Sequence, residues 1–193
     1  FSFDEWELDV AVTASQKCLM SSPGLAWVAM SERAWSATES SRLPRNYWDF
    51  GAVRRAVSKA KPETPGTAPV HLVFQVAEAL RMIHEEGLPN VFARHRALAE
   101  RVRSGVAEAG LAMQCPDLTG YADTMTAIAL PSDVAPKAFR DRIKARGMLT
   151  AAGLGPNEAT GFRIGHMCDI RMDDVERTLA AVSEALRDSR EIL

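Results

Sequence analysis

Long apolar runs are missing from this chain of 193 residues: none approaches the roughly 20 consecutive residues of a membrane-spanning helix, so no segment reads as a helical span. An excess of either charge is missing too. With 23 basic and 25 acidic residues and no basic tract, neither nucleic acid nor an anionic membrane surface is expected as a partner, and a small-molecule site fits better. Cysteine is scarce. Cys18, Cys115 and Cys168 are widely spaced and form no C-x-x-C pair, which argues against a disulfide framework and against a zinc or other metal site; they are expected as reduced, mostly buried thiols. The first residues, FSFDEWELD, lack the basic start of a signal peptide, so the expected compartment is the cytoplasm. Repeats and low-complexity tracts are absent as well. What the chain does have is 47% hydrophobic residues, enough for a sizeable core in one full domain or two small ones.

The apolar pattern predicts an α/β architecture. LDVAVT (8–13) reads as a buried parallel strand and LAWVAM (25–30) as a second strand, with Ser31 as the N-cap of a short helix. Residues 36–68 carry Pro44, Pro62, Pro65 and the adjacent aromatics Tyr47 and Trp48 without steady periodicity, and read mostly as loop. From Pro69 the spacing predicts a helix capped by Gly87, with Val70, Val73, Phe74, Ala77, Leu80 and Ile83 near its buried face. A second helix is predicted over 88–110, opening near Asn90. Strands at 124–130 and 161–167, a helix at 135–147, an extended piece at MLTAAG and a closing helix at 173–189 complete a small α+β unit. The expected division is therefore 1–68 as part of a larger domain, 69–87 as a connecting helix and 88–193 as a small C-terminal domain.

One short stretch raises a question of chemistry. VTASQKCLMSSPG (12–24) places Lys17 among small residues directly after an apolar strand. A solvated surface lysine is one reading; a partly desolvated amine with a lowered pKa, able to attack a carbonyl, is the other. The surrounding residues decide in favour of the second. DEWELDVAVTASQKCLMSSPGLAWVAMSERAW resembles the lysine segment of class V aminotransferases of the alanine-glyoxylate and serine-glyoxylate type. That resemblance implies the fold type I architecture of pyridoxal 5′-phosphate enzymes, with Lys17 as the lysine that forms a Schiff base with the cofactor. It also places Gln16 near the cofactor phosphate, where cysteine desulfurases have a histidine.

Two further segments extend the likeness over essentially the whole chain. PGTAPVHLVFQVAEALRMIHEEGL is similar to the family's entry into the helix between its large and small domains. There Thr67 matches a threonine that binds the phosphate of the neighbouring subunit, which implies a homodimer, and Thr64 lies where some relatives place a tyrosine on the same phosphate. GLGPNEATGFRIGHMCD is similar to the strand whose arginine holds the substrate α-carboxylate, and Arg163 matches it. A planar guanidinium suits that task because it makes two parallel charge-assisted hydrogen bonds to a carboxylate. His166 points to the opposite face of the strand and reads as structural. Cys168 departs from the family, which often has glycine there.

The resemblance covers only the C-terminal half of the family's chain. The phosphate loop, the aromatic residue stacked on the ring and the aspartate at the pyridine nitrogen belong to the other half, and Asp4 and Asp9 stand too close to Lys17 to replace that aspartate. The expected function is transamination between a small amino acid and a 2-oxo acid such as glyoxylate or pyruvate, with pyridoxal phosphate as cofactor and an N-terminal half supplied in cis or as a separate chain. Pyridoxamine-pyruvate and aminoethylphosphonate transaminases are near relatives of the same class. The alternative is a noncatalytic assembly module that pairs with a full-length partner.

Overall fold

Val10, Ala11, Val12 and Thr13 set apolar or β-branched side chains on both faces of one strand. In the computed structural model, which describes residues 1–115 and 118–190, they form β1 (Val10–Ala14). β1 pairs antiparallel with β2 (Ala26–Met30), Val10 opposite Met30 and Ala14 opposite Ala26. The expected buried parallel strand is therefore an exposed antiparallel one. The link through residues 15–25 folds straight back on itself, whereas a parallel pair needs a longer crossover, usually helical.

Ser31 caps α1 (Glu32–Glu39), accepting from the Ala34 amide, as expected. The Ser31 hydroxyl also donates to Asp9 Oδ1 at 2.7 Å, and Arg33 clasps the same carboxylate through two bonds of 2.8 Å. The Arg33 guanidinium, helped by Ser31, holds the Asp9 carboxyl below its usual range. Asp9 is thus a brace for the hairpin.

The expected loop at 36–68 contains a helix, α2 (Phe50–Val57). Asp49 caps it by accepting from the Ala52 amide, and Arg54 and Arg55 stand in its last turn, where cations favour the helix dipole. The proline-rich flanks hide this eight-residue signal from a reading based on periodicity. α3 (Val70–Glu86) follows and buries Leu72, Val76 and Ala79, while Val70, Val73, Phe74 and Leu80 of the expected face are exposed. The helix is apolar on more than one side, a pattern that belongs to a helix covered from several directions.

The chain divides into two compact units, Phe1–Met82 and Ile83–Leu193. The second opens with α4 (Leu88–Glu108), which has Pro89 in its first turn. Then come β3 (Ala112–Met113), β4 (Met125–Ala129), α5 (Pro136–Ala145), β5 (Ala151–Ala152), β6 (Gly161–Gly165) and α6 (Met172–Arg190). The strands form one antiparallel sheet in the order β3-β4-β6-β5. Strand alternation sends Ile128, Phe162 and Ile164 to one face, where they pack with Leu98, Val102, Phe139 and Val182 of the helices in a single core. Phe139 and Phe162 meet with ring centroids 5.1 Å apart. The other face of β6 carries Arg163.

The two units differ in what they bury. Among the described residues of the first, only Ser15 and the three α3 side chains Leu72, Val76 and Ala79 are fully buried, and Val12 is 68% and Phe74 70% exposed. The cysteines also depart from expectation: Cys18 and Cys115 are exposed and Cys168 is half-buried, because all three sit on turns and connections outside the helices and strands. No helix among the described residues is long and apolar enough to cross a membrane.

Candidate active site

The turn that carries Lys17 is organised by Ser15, a residue to which the surrounding sequence motif assigns no role. Ser15 is completely buried at the end of β1. Its hydroxyl donates to the Ser22 carbonyl at 2.6 Å and accepts from the Leu25 amide at 3.3 Å, and its backbone bonds to Leu25 and Ser21 at 3.0 Å each. One side chain therefore ties both ends of the loop 15–25 together. Met20 takes a left-handed conformation (φ 51°), with its amide on the Lys17 carbonyl at 2.9 Å. Gly24 (φ 134°) passes so close to α3 that a Cβ there would lie 2.7 Å from Leu72 Cδ1. Gln75 of α3 accepts from Ser21 Oγ and from the Ser22 amide. On this stiffened turn, Gln16 and Lys17 both face outward.

Thr64 and Thr67 are also exposed, and together they line a cleft of about 470 Å³ with Tyr47, Trp48, Phe50 and Pro69. Thr64 Oγ1 donates to the Gly66 carbonyl at 2.6 Å, which folds the Thr-Pro-Gly-Thr segment back on itself ahead of α3. Tyr47 and Trp48 stand edge to face, 5.2 Å between centroids, with both rings largely exposed at the cleft. Their adjacency was visible in the sequence; their place beside Thr67 was not.

Arg163 belongs to the second unit, so the structure groups Lys17 with Gln16 and Thr64 with Thr67, and places the arginine on a separate body. It stands at the centre of β6 between Ala127 of β4 and Ala151 of β5. Its Nε donates to the Ala152 carbonyl at 2.7 Å, which fixes the guanidinium plane. His166 lies on the opposite face, fully buried, with Nδ1 3.2 Å from the Asp123 carbonyl and Nε2 2.9 Å from Thr126 Oγ1. A carbonyl only accepts, so Nδ1 carries the proton and Nε2 accepts from the threonine hydroxyl. Burial, with the Arg103 guanidinium adding to it, pushes the His166 pKa down. Cys168 follows in a left-handed conformation (φ 71°), which suits glycine better than a residue with a Cβ. Arg94 Nη1 holds that turn by donating to the Cys168 and Ile170 carbonyls at 2.9 and 3.0 Å, while its Nε bonds to Glu86 at 2.6 Å.

Comparisons with known proteins bear on the chain as a whole. No family model matches the chain. It is 38% identical over 168 residues to an L-aspartate–glyoxylate aminotransferase of Paracoccus denitrificans, which is 86% of this chain and 42% of that protein. It is 36% identical over 187 residues to a soluble hydrogenase small subunit of a Synechococcus, 96% of this chain and 47% of that one. The crystal structure of an alanine–glyoxylate aminotransferase from Nostoc superposes with a TM-score of 0.88 at 28% identity, over 96% of this chain and 50% of the other. In sequence and fold the chain is similar to the C-terminal half of class V aminotransferases. It spans about half the length of the curated relatives it matches.

Class V aminotransferases of fold type I use pyridoxal phosphate, and the donors present here fit one side of that group. A primary amine on a braced turn suits its aldehyde carbon, and the exposed Gln16 amide and Thr67 hydroxyl suit its phosphate, whereas the Thr64 hydroxyl hydrogen is already engaged by the Gly66 carbonyl.

Proposed function

We propose that this chain acts as the C-terminal half of an aminotransferase that moves an amino group from a small amino acid to a 2-oxo acid such as glyoxylate or pyruvate. The observation that carries the reading is the braced turn at the end of β1, which presents Lys17 at the surface; the resemblance of its sequence segment to that of class V aminotransferases supports reading Lys17 as the cofactor lysine. Lys17 would hold pyridoxal phosphate through Nζ, with Gln16, Thr64 and Thr67 toward the phosphate, Thr67 from the neighbouring subunit of a homodimer. When bound, the cofactor supplies the electron sink for cleavage of the substrate Cα–H bond.

The chain's own residues do the rest. Lys17 Nζ would serve as the general base that takes the proton from the substrate Cα and as the general acid that gives it back. Arg163 donates two parallel N–H···O bonds from its terminal nitrogens to the α-carboxylate, which sets the Cα–H bond in line for that transfer. The groups that pair with the pyridine nitrogen and stack on the ring come from an N-terminal half in cis or as a separate chain. The apolar surfaces of β1 and α3 that this chain leaves uncovered support such a complement.

The test is an assay of the chain assembled with that half and loaded with cofactor. Glycine should form from glyoxylate when L-alanine, L-serine or L-aspartate is the donor. A stable dimer of the chain that neither binds pyridoxal phosphate nor supports glycine formation in the assembly would make it an assembly module instead.

A further inference from the structure

The aim of Arg163 depends on a neighbour that never touches a substrate. The Nε bond to the Ala152 carbonyl leaves the two terminal guanidinium nitrogens as a two-pronged donor. Ala152 lies in β5, a strand of two residues at the edge of the sheet, and so short a strand does not hold its own carbonyl in place. The support comes from the next residue. Gly153 is fully buried, and a Cβ there would collide with the Asn157 carbonyl oxygen, lie 2.6 Å from the Asn157 carbonyl carbon and 3.0 Å from Glu158 Cα. All three are backbone atoms, so no side-chain rotation relieves the contact. The segment pressed against Gly153 is a tight turn over Gly155–Asn157, closed by amide bonds from Asn157 to Leu154 and from Glu158 to Gly155, each 3.1 Å. It is anchored to β4 through the Leu130 amide and the Thr160 carbonyl at 2.9 Å, and it runs directly into β6.

We infer that Gly153 is a positioning residue for carboxylate recognition: by letting the Asn157 backbone close against β5, it fixes the Ala152 carbonyl that aims the Arg163 fork. The functional part of this inference rests on the reading of Arg163 as the carboxylate-binding group. Adding one methyl group at position 153 forces the turn and β5 apart, shifts the carbonyl and frees the guanidinium to rotate, while Arg163 itself stays in place on β6. The cost falls on orientation rather than on charge.

Two measurements separate the inference from the reading beneath it. In the ¹⁵N-labelled 193-residue chain the Arg163 Nε–H signal, assigned by its loss in Arg163→Lys, should be protected from solvent exchange. In Gly153→Ala its exchange should rise at least about tenfold, the scale of a lost charge-assisted hydrogen bond, with amide protection along β4 and β6 retained. Gly165→Ala, on the same strand with nothing within 4 Å of the added Cβ, should leave the signal unchanged. Equal protection in Gly153→Ala overturns the inference and leaves the reading of Arg163 standing. Should Gly153→Ala fail to fold, the unsubstituted chain still decides, because an unprotected Arg163 Nε–H there overturns the inference alone. In the assembled enzyme, Gly153→Ala should raise KM for the amino acid about tenfold with kcat within about twofold, and leave an amine without a carboxylate unaffected. If Arg163→Lys itself weakens amine and amino acid alike, the carboxylate reading fails, whatever the exchange result.

Discussion

Arg163 and His166 stand three residues apart and serve opposite faces of the same strand. The arginine is half-buried beside two alanines, with its Nε committed to Ala152 and its terminal nitrogens available to a ligand. Arg163→Lys keeps the charge and loses the fork. In the assembled enzyme kcat/KM for amino acids should therefore fall by about 2 to 4 kcal/mol in transition-state terms, with cofactor content unchanged. Loss of cofactor in this variant would show that Arg163 supports the fold. His166 predicts a pH effect of definite sign. Its folded pKa lies below the unfolded value, so between the two the unfolded chain binds the extra proton and the folded chain does not. Stability should be full above the ordinary histidine value of about 6.5 and be lost progressively as pH falls from there toward the lowered folded pKa. The carboxylates held low by arginines, such as Asp9 and Glu86, stay ionised in both states over most of that range and add their loss only in more acid solution. Denaturant midpoints at about pH 7.5 and about pH 5.5, on either side of ~6.5, check this. His166→Gln should shrink the difference between them, and an unchanged difference would contradict the assignment.

Elements with one clear period were legible in the sequence, and elements whose residues depend on partners were not. The strands at β4 and β6 and the helices α3 to α6 follow from apolar spacing because each lays a face against a neighbour. β1 was recognised as a strand but given a parallel, buried setting. Its side chains are apolar on both faces, which describes a covered strand, whereas this chain covers it with little beyond β2. α2 was missed because an Asp cap and a short amphipathic turn carry less weight than the prolines around them. At the site, the proposed roles of Lys17, Gln16, Thr64, Thr67 and Arg163 rest on motif, not on physics. Ser15 acts through its hydroxyl on the backbone groups of Ser22 and Leu25, and Ala152 through its carbonyl on Arg163; bonds to the backbone leave no pattern in residue types. Ser15 supplies the test at this scale. Ser15→Ala leaves the Ser22 carbonyl and the Leu25 amide without that partner in a buried corner, and should cost about 1 to 3 kcal/mol. Denaturation should show that loss, and limited proteolysis should cut more readily within residues 15–25. A variant as stable and as resistant as the original would remove Ser15 from its organising role.

At the scale of the whole chain, the C-terminal unit is built around one core that its sheet and helices close among themselves. The N-terminal unit is not built that way: Val12, Phe74, Tyr47 and Trp48 are all more than half exposed, and Lys17, Thr64 and Thr67 sit on that same unit. A chain that spans about half of its relatives, with apolar strand and helix surfaces uncovered around its candidate cofactor residues, is the arrangement expected of one half of a larger catalytic body. The most direct test is chemical. When the chain is assembled with its N-terminal half, loaded with pyridoxal phosphate and reduced with borohydride, peptide mapping should find the pyridoxyl group on Lys17, and Lys17→Ala should abolish the visible absorbance band of the bound cofactor. A pyridoxyl group on Lys59, Lys61, Lys137 or Lys144 instead would contradict the account.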